Sequence, residues 1–526
     1  MMSDKQNNQK YNQKSRKHNK SNSSSKSTDS VSSVQKRSTT LQVRSKVVFD
    51  LEGRDIFGDP APQPDLLHKA INQIEIDRKS LDSVNLRDAL RKDQLNLRVE
   101  EIDRVDLKSR MNSSIYLLTE RKLKNEIVDF VLGLDIGSTS TKCIIRLPYK
   151  GSGAAQPVPA PKFLQADDHP YYWRTIFWKT NDGRFSLLPE QDSIELSTLK
   201  VDFIAAGSSA DFRNTAELQM TAYAALMMRQ SLGWYVATYP NGAANSNFFI
   251  SINVGFPSAS MEDQGDQERF RTCCRAAGNL ALSGQDVTES SVSAHLANVL
   301  VSKMEPEDDQ LVEVYPELSG AISGFIYSSA SRTGVYVLVD IGGLTLDCIF
   351  FSLRKDGNDP HYAVYAADIC RHGSQVIGYW LKQGNAQSRA VAVLGSFYAK
   401  TVVAAHKKLG QRIPTPGAKN LAQLPTLLIG GGRRSEEHRR APDWANANIK
   451  NSTSAVTLRV EDLEPPLADM DVPKLGKHGV DRLLVAAGLS LPRTSIPTWI
   501  HSRNVPDAEP IGKWDYTNAF VGPEQT

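Results

Sequence analysis

The sequence predicts an α/β fold in which sheets are covered by helices around more than one core. Three observations carry that expectation. The chain has 526 residues, more than one hydrophobic core ordinarily serves. From about residue 127, apolar strand-like runs alternate with helix-like runs. One short pattern, a strand ending in Asp-Ile-Gly, a Gly/Ser/Thr turn and a second strand, occurs twice. Hydrophobic residues make up 40% and charged residues 23%, which suits a globular chain.

Residues 1–46 carry eleven Lys/Arg against Asp4 and Asp29, a balance of +9, while the remaining 51 basic and 57 acidic residues give −6. The first segment is Ser, Asn, Gln and Lys with almost no apolar side chains, so it is expected to be a disordered basic tail. Such a tail can make weak contact with nucleic acid or an anionic surface, although its lack of aromatics for base stacking favours a solvated tail with no specific partner. Residues 47–65 read as an extended Pro-containing connector. Residues 66–125 alternate apolar residues (Leu66, Ile71, Ile74, Leu81, Leu86, Leu90, Ile102, Leu107) with charges at helical spacing. They predict two or three amphipathic helices, which pack on the body or serve a partner or self-association.

The strand-like runs are "VDFVLGLDI", "KCIIRL", "YWRTIFWK", "FFISINVGF", "VYVLVDIG", "LDCIFFSL" and "TLLIGG". Helix-like runs fall at 215–232, 266–280, 290–304, 375–383, 388–409 and 479–488. The Gly151–Pro161 run, "GSGAAQPVPAP", reads as a surface loop. The expected division is 1–46 tail, 47–126 connector and helices, 127–325 first lobe, 326–492 second lobe with a return to the first, and 493–526 a C-terminal tail. No run reaches the length of a membrane-spanning helix, and the N-terminus lacks the apolar core of a secretory signal. The five cysteines, 143, 273, 274, 348 and 370, have no metal-site spacing. Cys143 and Cys348 lie in apolar strands and are expected to be buried thiols. A cytoplasmic location follows from these readings.

The two copies of the pattern are "LDIGSTSTKCII", with its Asp at 135, and "VDIGGLTLDCIF", with its Asp at 340. Each turn joins two strands, unlike the phosphate loop that opens a helix. Glycines let the backbone come close to a ligand. The exposed amides and hydroxyls of such a turn can cradle phosphate oxygens, and an Asp at the strand end can hold Mg²⁺ directly or through water. Two such hairpins facing each other would grip a polyphosphate–metal complex from both sides.

On these residues the chain resembles the actin, heat-shock chaperone and sugar kinase superfamily of ATPases. The two hairpins look like its two phosphate motifs. "VYPELSGAISGF", Val314–Phe325, resembles the first connecting helix; "LLIGGGRRS", Leu427–Ser435, the adenosine motif; and "RLLVAAGLSL", Arg482–Leu491, the second connecting helix, with small residues at a close helix contact. The resemblance covers about residues 128–492. It implies a two-lobed actin-like fold of duplicated ribonuclease H-like sheets, with ATP and Mg²⁺ bound between the lobes. Asp135, Glu317 and Asp340 would be catalytic, with Asp135 and Asp340 positioning the metal and Glu317 orienting the attacking water. Gly137, Ser138, Thr139, Lys142, Gly342, Gly343 and Thr345 would bind phosphate. Gly430, Gly431, Gly432, Arg433 and Lys382 would meet the adenosine, with Gly373 and Ser374 near the nucleotide and Arg433 or Arg434 stacking on the base. Asp347 would support its hairpin.

The resemblance leaves the branch open. About 35 residues follow the second connecting helix, too few for a chaperone's peptide-binding domain and lid. An activator of iron–sulfur dehydratases would need cluster cysteines that "CCRAAGN" does not supply, and no sugar-kinase Asp base can be singled out. The leading expectation is a heat-shock-like ATPase whose lobe closure switches a protein partner. The alternatives are a filament-forming actin-like protein of the DNA-segregation type and a scaffold that binds nucleotide without hydrolysing it.

Overall fold

Each of the two main sheets is built around a central strand with neighbours on both sides. In the first sheet β1 (Ile127–Ile136) pairs antiparallel with β2 (Ser140–Arg146), which pairs antiparallel with β3 (Ala155–Pro157). On its other side β1 pairs parallel with β4 (Asn247–Phe256), and β4 with β5 (Val312–Pro316). The last seven residues of β1 and all of β2 are buried, as expected for strands covered on both faces. The second sheet repeats this order. β6 (Gly334–Ile341) pairs antiparallel with β7 (Leu346–Asp356), and β7 antiparallel with β8 (Asp359–Cys370). β6 also pairs parallel with β9 (Gln423–Ile429), and β9 with β10 (Thr457–Glu461). The molecule is thus a mixed α/β structure with one strand order used twice.

This computed structural model describes residues 64–496 apart from 91–97, 124–125, 151–153, 206–208, 257–263, 302–310, 329–330, 357–358, 410–422, 454–456, 462, 464–469 and 471–478. The expected tail at 1–46, most of the connector and almost all of the C-terminal segment lie outside the described residues. All described residues belong to one compact unit.

The helices at 66–125 pack on both halves. α1 (Pro64–Asp82) lies against the second half through buried Leu81, an Asp77–Arg389 ion pair (Nε to Oδ2, 2.8 Å) and a hydrogen bond from Trp380 Nε1 to Ser80 Oγ at 3.1 Å. From α2 (Leu86–Leu90), Arg87 reaches Asp202 of the first half at 2.8 Å and lies over the Phe212 ring. α3 (Glu101–Asn112) packs on the first half, with Leu107 buried and Arg110 donating to the Pro159 carbonyl at 2.7 Å.

The core around the first sheet is closed by α4 (Leu199–Ala205), α5 (Ala210–Thr238) and α6 (Gln264–Ser283), with Phe130, Tyr223, Phe256 and Phe270 at its centre. α7 (Glu317–Ile326) follows β5 directly. The second sheet is covered by α8 (Ser374–Lys382), α9 (Gln387–Leu409) and α10 (Glu436–Thr453). The chain then returns as α11 (Leu484–Leu489). Leu318, Ile322 and Phe325 of α7 pack on the second sheet, whereas Ala486 and Ala487 of α11 face Ile144 of the first. The two helices meet so closely that a Cβ on Gly488 would run into the Gly320 carbonyl, and one on Gly324 into the Leu484 carbonyl. This contact fastens the two sheets together.

Two sequence expectations are corrected. Of the run expected to be a surface loop, the described part, 154–161, is not one: Ala155–Pro157 is an edge strand, Val158 donates to the Cys143 carbonyl at 2.8 Å, and Ala155 and Val158 are fully buried. Alanine and valine were small and apolar enough to cover the sheet edge despite the prolines. "YWRTIFWK" is not one strand either. Trp173–Arg174 pairs with β2, while Phe177–Lys179 enters a separate three-stranded sheet. The cysteines are all unpaired, and Cys143 and Cys348 are buried. Among the described residues no helix is long and apolar enough to cross a membrane.

The helix contact makes a paired prediction. Gly488→Ala forces the α7–α11 contact apart, at a cost of about 1–3 kcal/mol, and should lower the thermal midpoint by roughly 1–3 °C in a unit of this size. Gly378→Ala, inside α8 with nothing near its absent Cβ, should raise it by up to about 1 °C through the unfolded chain. Calorimetric melts of both proteins check this, and a neutral Gly488→Ala would contradict the close contact.

Candidate functional site

Both Asp-Ile-Gly turns come from the same place in their sheets, the end of the central strand. In the first, Ile136 ends β1 and Ser140 begins β2, and a Cβ on Gly137 would meet the Ser140 carbonyl. The turn is braced from behind by hydroxyls. Thr175 Oγ1 donates to the Gly137 carbonyl at 2.7 Å and lies 3.1 Å from Thr141 Oγ1, which receives the Tyr223 hydroxyl at 2.9 Å. The second turn is braced by the start of α8. Ser374 N donates to the Gly342 carbonyl and Gln375 N to the Gly343 carbonyl, both at 2.9 Å. The turns face each other at contact distance: a Cβ on Gly343 would stand 3.0 Å from Thr139 Cγ2.

A cavity of about 190 Å³ lies between them. It is lined by Asp135, Gly137, Ser138, Thr139 and Lys142 from the first hairpin and by Asp340, Gly342, Gly343 and Thr345 from the second. Glu317, the first residue of α7, and Gly430 and Gly431, which follow β9, also lie on the wall. Gly430 has φ 84°, a left-handed conformation that favours glycine, and a side chain there would strike the Asp340 carboxylate.

The strand register sets the electrostatics. Asp135 lies opposite Lys142 across β1–β2, and Lys142 Nζ meets its Oδ2 at 3.0 Å. At the equivalent place in the second sheet Asp340 lies opposite Asp347, an acid facing an acid, which is unfavourable across strands. Burial, reinforced by Glu317 and Asp135, pushes the Asp340 carboxyl up to about 7. Burial together with Asp340 and Glu317 pushes Asp347 up to about 8. Glu317 is also raised, by burial and by Asp135, against the pull of Lys200. Lys200 Nζ meets Glu317 Oε1 at 2.6 Å. Burial works against its charge, but the Glu317 carboxylate outweighs it and holds the ammonium above its ordinary range.

Five carboxylates, Asp135, Asp167, Glu317, Asp340 and Asp347, therefore share the cavity with three cations, Lys142, Lys200 and Arg482. This acid excess suits a divalent cation. Yet among the described residues no group of three or more His, Cys, Asp and Glu could hold a metal by itself. The donor set fits a Mg²⁺ that keeps waters and takes most of its oxygens from a ligand's phosphates, the usual arrangement for that ion.

Of the residues singled out in the sequence, Gly373, Gly432, Arg433, Arg434 and Lys382 do not line the cavity. Gly432 is buried against Ile341 and Ser374. Arg433 pairs with Asp481 at 2.6 Å. Lys382 is the exposed last residue of α8; eight residues of helix, about 12 Å, separate it from the cavity end at Ser374. Sequence reasoning missed Lys200, Asp167, Gln375 and Arg482, all of which line the cavity. None belongs to a repeated pattern, and all four reach it from segments distant in sequence.

No protein-family model matches the chain, and no curated protein matches it. Among solved structures it is similar to an exopolyphosphatase from Cytophaga hutchinsonii, at 11% identity and a TM-score of 0.24. The match covers 57% of this chain and 66% of that one, just under two thirds of its length. At that score the likeness says nothing about chemistry.

The acid pair makes a pH prediction. Between about pH 4 and 8 the folded protein holds a proton on Asp347 that the unfolded chain has released, so the stability of the ligand-free protein falls as pH rises through that window. Asp347→Asn should raise the thermal midpoint at pH 8 and flatten its decline between pH 5 and 8. Parallel melting curves for the two proteins across this range would count against the crowded-acid site.

Proposed function

We propose that the cavity binds a nucleoside triphosphate, ATP, with Mg²⁺ and hydrolyses its terminal phosphate, in a two-lobed actin-like fold built from two ribonuclease H-like sheets. The observation that carries this reading is the meeting of two equivalent Asp-Ile-Gly turns across one cavity, with Glu317 between them.

On this reading the turn residues Gly137, Ser138, Thr139, Gly342, Gly343 and Thr345 hold phosphate oxygens through amides and hydroxyls. Asp135 and Asp340 would hold the Mg²⁺. The ion supplies charge neutralisation along the phosphate chain. Lys142 fixes the Asp135 carboxylate and adds positive charge beside it. Glu317 orients a water toward the terminal phosphate, and its raised proton affinity suits it to accept a proton. Lys200 holds Glu317 in place and offsets charge that builds on the transferring group. Phosphoryl transfer asks the protein for positioning and electrostatics more than covalent chemistry, and this set provides both. Gly430 and Gly431 let the nucleoside approach the backbone. Closure of the lobes over the nucleotide then serves as a switch for a protein partner.

Phosphate release from ATP tests the reading. Glu317→Gln should keep ATP–Mg²⁺ affinity within a few-fold and slow release by about a hundredfold or more. Asp340→Asn should raise the Mg²⁺ concentration needed for half-maximal rate by at least tenfold. Release by both variants at the parent's rate and Mg²⁺ dependence would remove the assignment.

A further inference from the structure

Arg482 is a cation inside the cavity that the roles above do not use. It immediately precedes the turn into α11 and touches both halves. Its Nη2 donates to the hydroxyl of Ser140, the first residue of β2, at 3.1 Å. On the other side the guanidinium lies so close to the glycine turn that a Cβ on Gly431 would stand 3.3 Å from Cζ and Nη2. Its plane covers the Tyr172 ring at 4.1 Å. The side chain is 11% exposed, and its buried Nε meets no acceptor among the described residues. A buried guanidinium donor without an acceptor is costly unless a ligand supplies one.

Among the described residues the carboxylate hydrogen-bonded to this guanidinium is Asp167, which accepts from Nη1 at 2.5 Å. The two partners differ in how they are held. Arg482 is pinned among Tyr172, Ser140 and Gly431. Asp167 is 66% exposed and sits in an irregular turn, where it and Asp168 adopt left-handed φ values of 54° and 52°. Side chains rarely take that conformation, so the turn is strained.

We propose that Arg482 is a binding residue for the phosphate chain of the ligand, and that Asp167 occupies its guanidinium only until that ligand arrives. The inference rests on the proposed function and deepens it. A guanidinium presents several donors in a planar fork that a phosphate fills as readily as a carboxylate does. Its neighbours point to phosphate as the occupant: Ser140 closes the first phosphate turn, and Gly431 follows the strand beside Asp340. A ligand phosphate displaces Asp167, releases the strained turn and reaches the unpartnered Nε. Because the ligand must first displace a carboxylate, its apparent affinity is lower than its intrinsic one. Removing that carboxylate should tighten binding.

The test is equilibrium binding of ATP–Mg²⁺, ADP–Mg²⁺ and inorganic tripolyphosphate with Mg²⁺ to four proteins: the parent, Arg482→Gln, Arg482→Lys and Asp167→Asn. Arg482→Gln should weaken all three about tenfold to a hundredfold, with Arg482→Lys between it and the parent. Asp167→Asn should tighten them several-fold. A purely structural Arg482, one that only pins Tyr172, would not yield a tighter Asp167→Asn. Binding by Arg482→Gln within twofold of the parent, or weaker binding by Asp167→Asn, would overturn the inference and leave the proposed function standing. A parent that binds none of the three ligands would overturn both. Should Arg482→Gln fail to fold, the exposed Asp167→Asn decides alone.

Discussion

The close crossing of α7 and α11 is the contact on which the site depends. The two Asp-Ile-Gly turns belong to separate sheets, and nothing in either hairpin brings them together. Gly320, Gly324 and Gly488 let the two helices approach closely, with the Leu484 and Leu489 side chains packed against the glycines of α7. α7 then faces the second sheet, and α11 also reaches the first. The same crossing places Glu317, at the first turn of α7, on the cavity wall. A close helix contact outside the cavity thus sets the distance between groups inside it.

With the halves so fixed, charge becomes the dominant energy in the cavity. Asp135 has Lys142 across the strand pair and Glu317 has Lys200. Asp340 and Asp347 have only each other across theirs, and both carry raised proton affinities. A ligand-free protein relieves such crowding by holding protons. A ligand that brings a divalent cation relieves it by charge. The difference between Lys142 in one hairpin and Asp347 at the same position in the other makes the cavity asymmetric, with its unbalanced acids on the side of the second sheet. The helices at 64–112 add a mechanical element. They lie on the second half at Asp77–Arg389 and on the first at Arg87–Asp202, so the extension links the two halves outside the cavity.

Much of this was legible in the sequence because it was local. The hairpins and their glycines lie within a dozen residues of chain, and their turn chemistry constrains them wherever they fall in a fold. Glu317 was legible only through the resemblance of Val314–Phe325 to a connecting helix, in which it takes the place of an acid. Helix α10 and strands β8 and β10 were not, since their burial comes from neighbours far along the chain. Lys200 and Arg482 were illegible for a related reason. Each is a single basic residue in an unremarkable helix or turn, and what sets it apart is the carboxylate that folding delivers to it. Lys382 illustrates the opposite failure: the right segment was identified, but the residue sits a helix length from the cavity.

The central claim is that one cavity per chain takes a nucleotide whose phosphates complete a divalent cation site. Calorimetric titration of ATP into the protein, with Mg²⁺ present and then with the metal chelated, tests it most directly. The account predicts one ATP per chain with Mg²⁺ and a loss of affinity of at least tenfold without it. No binding, or equal binding in both conditions, would contradict it.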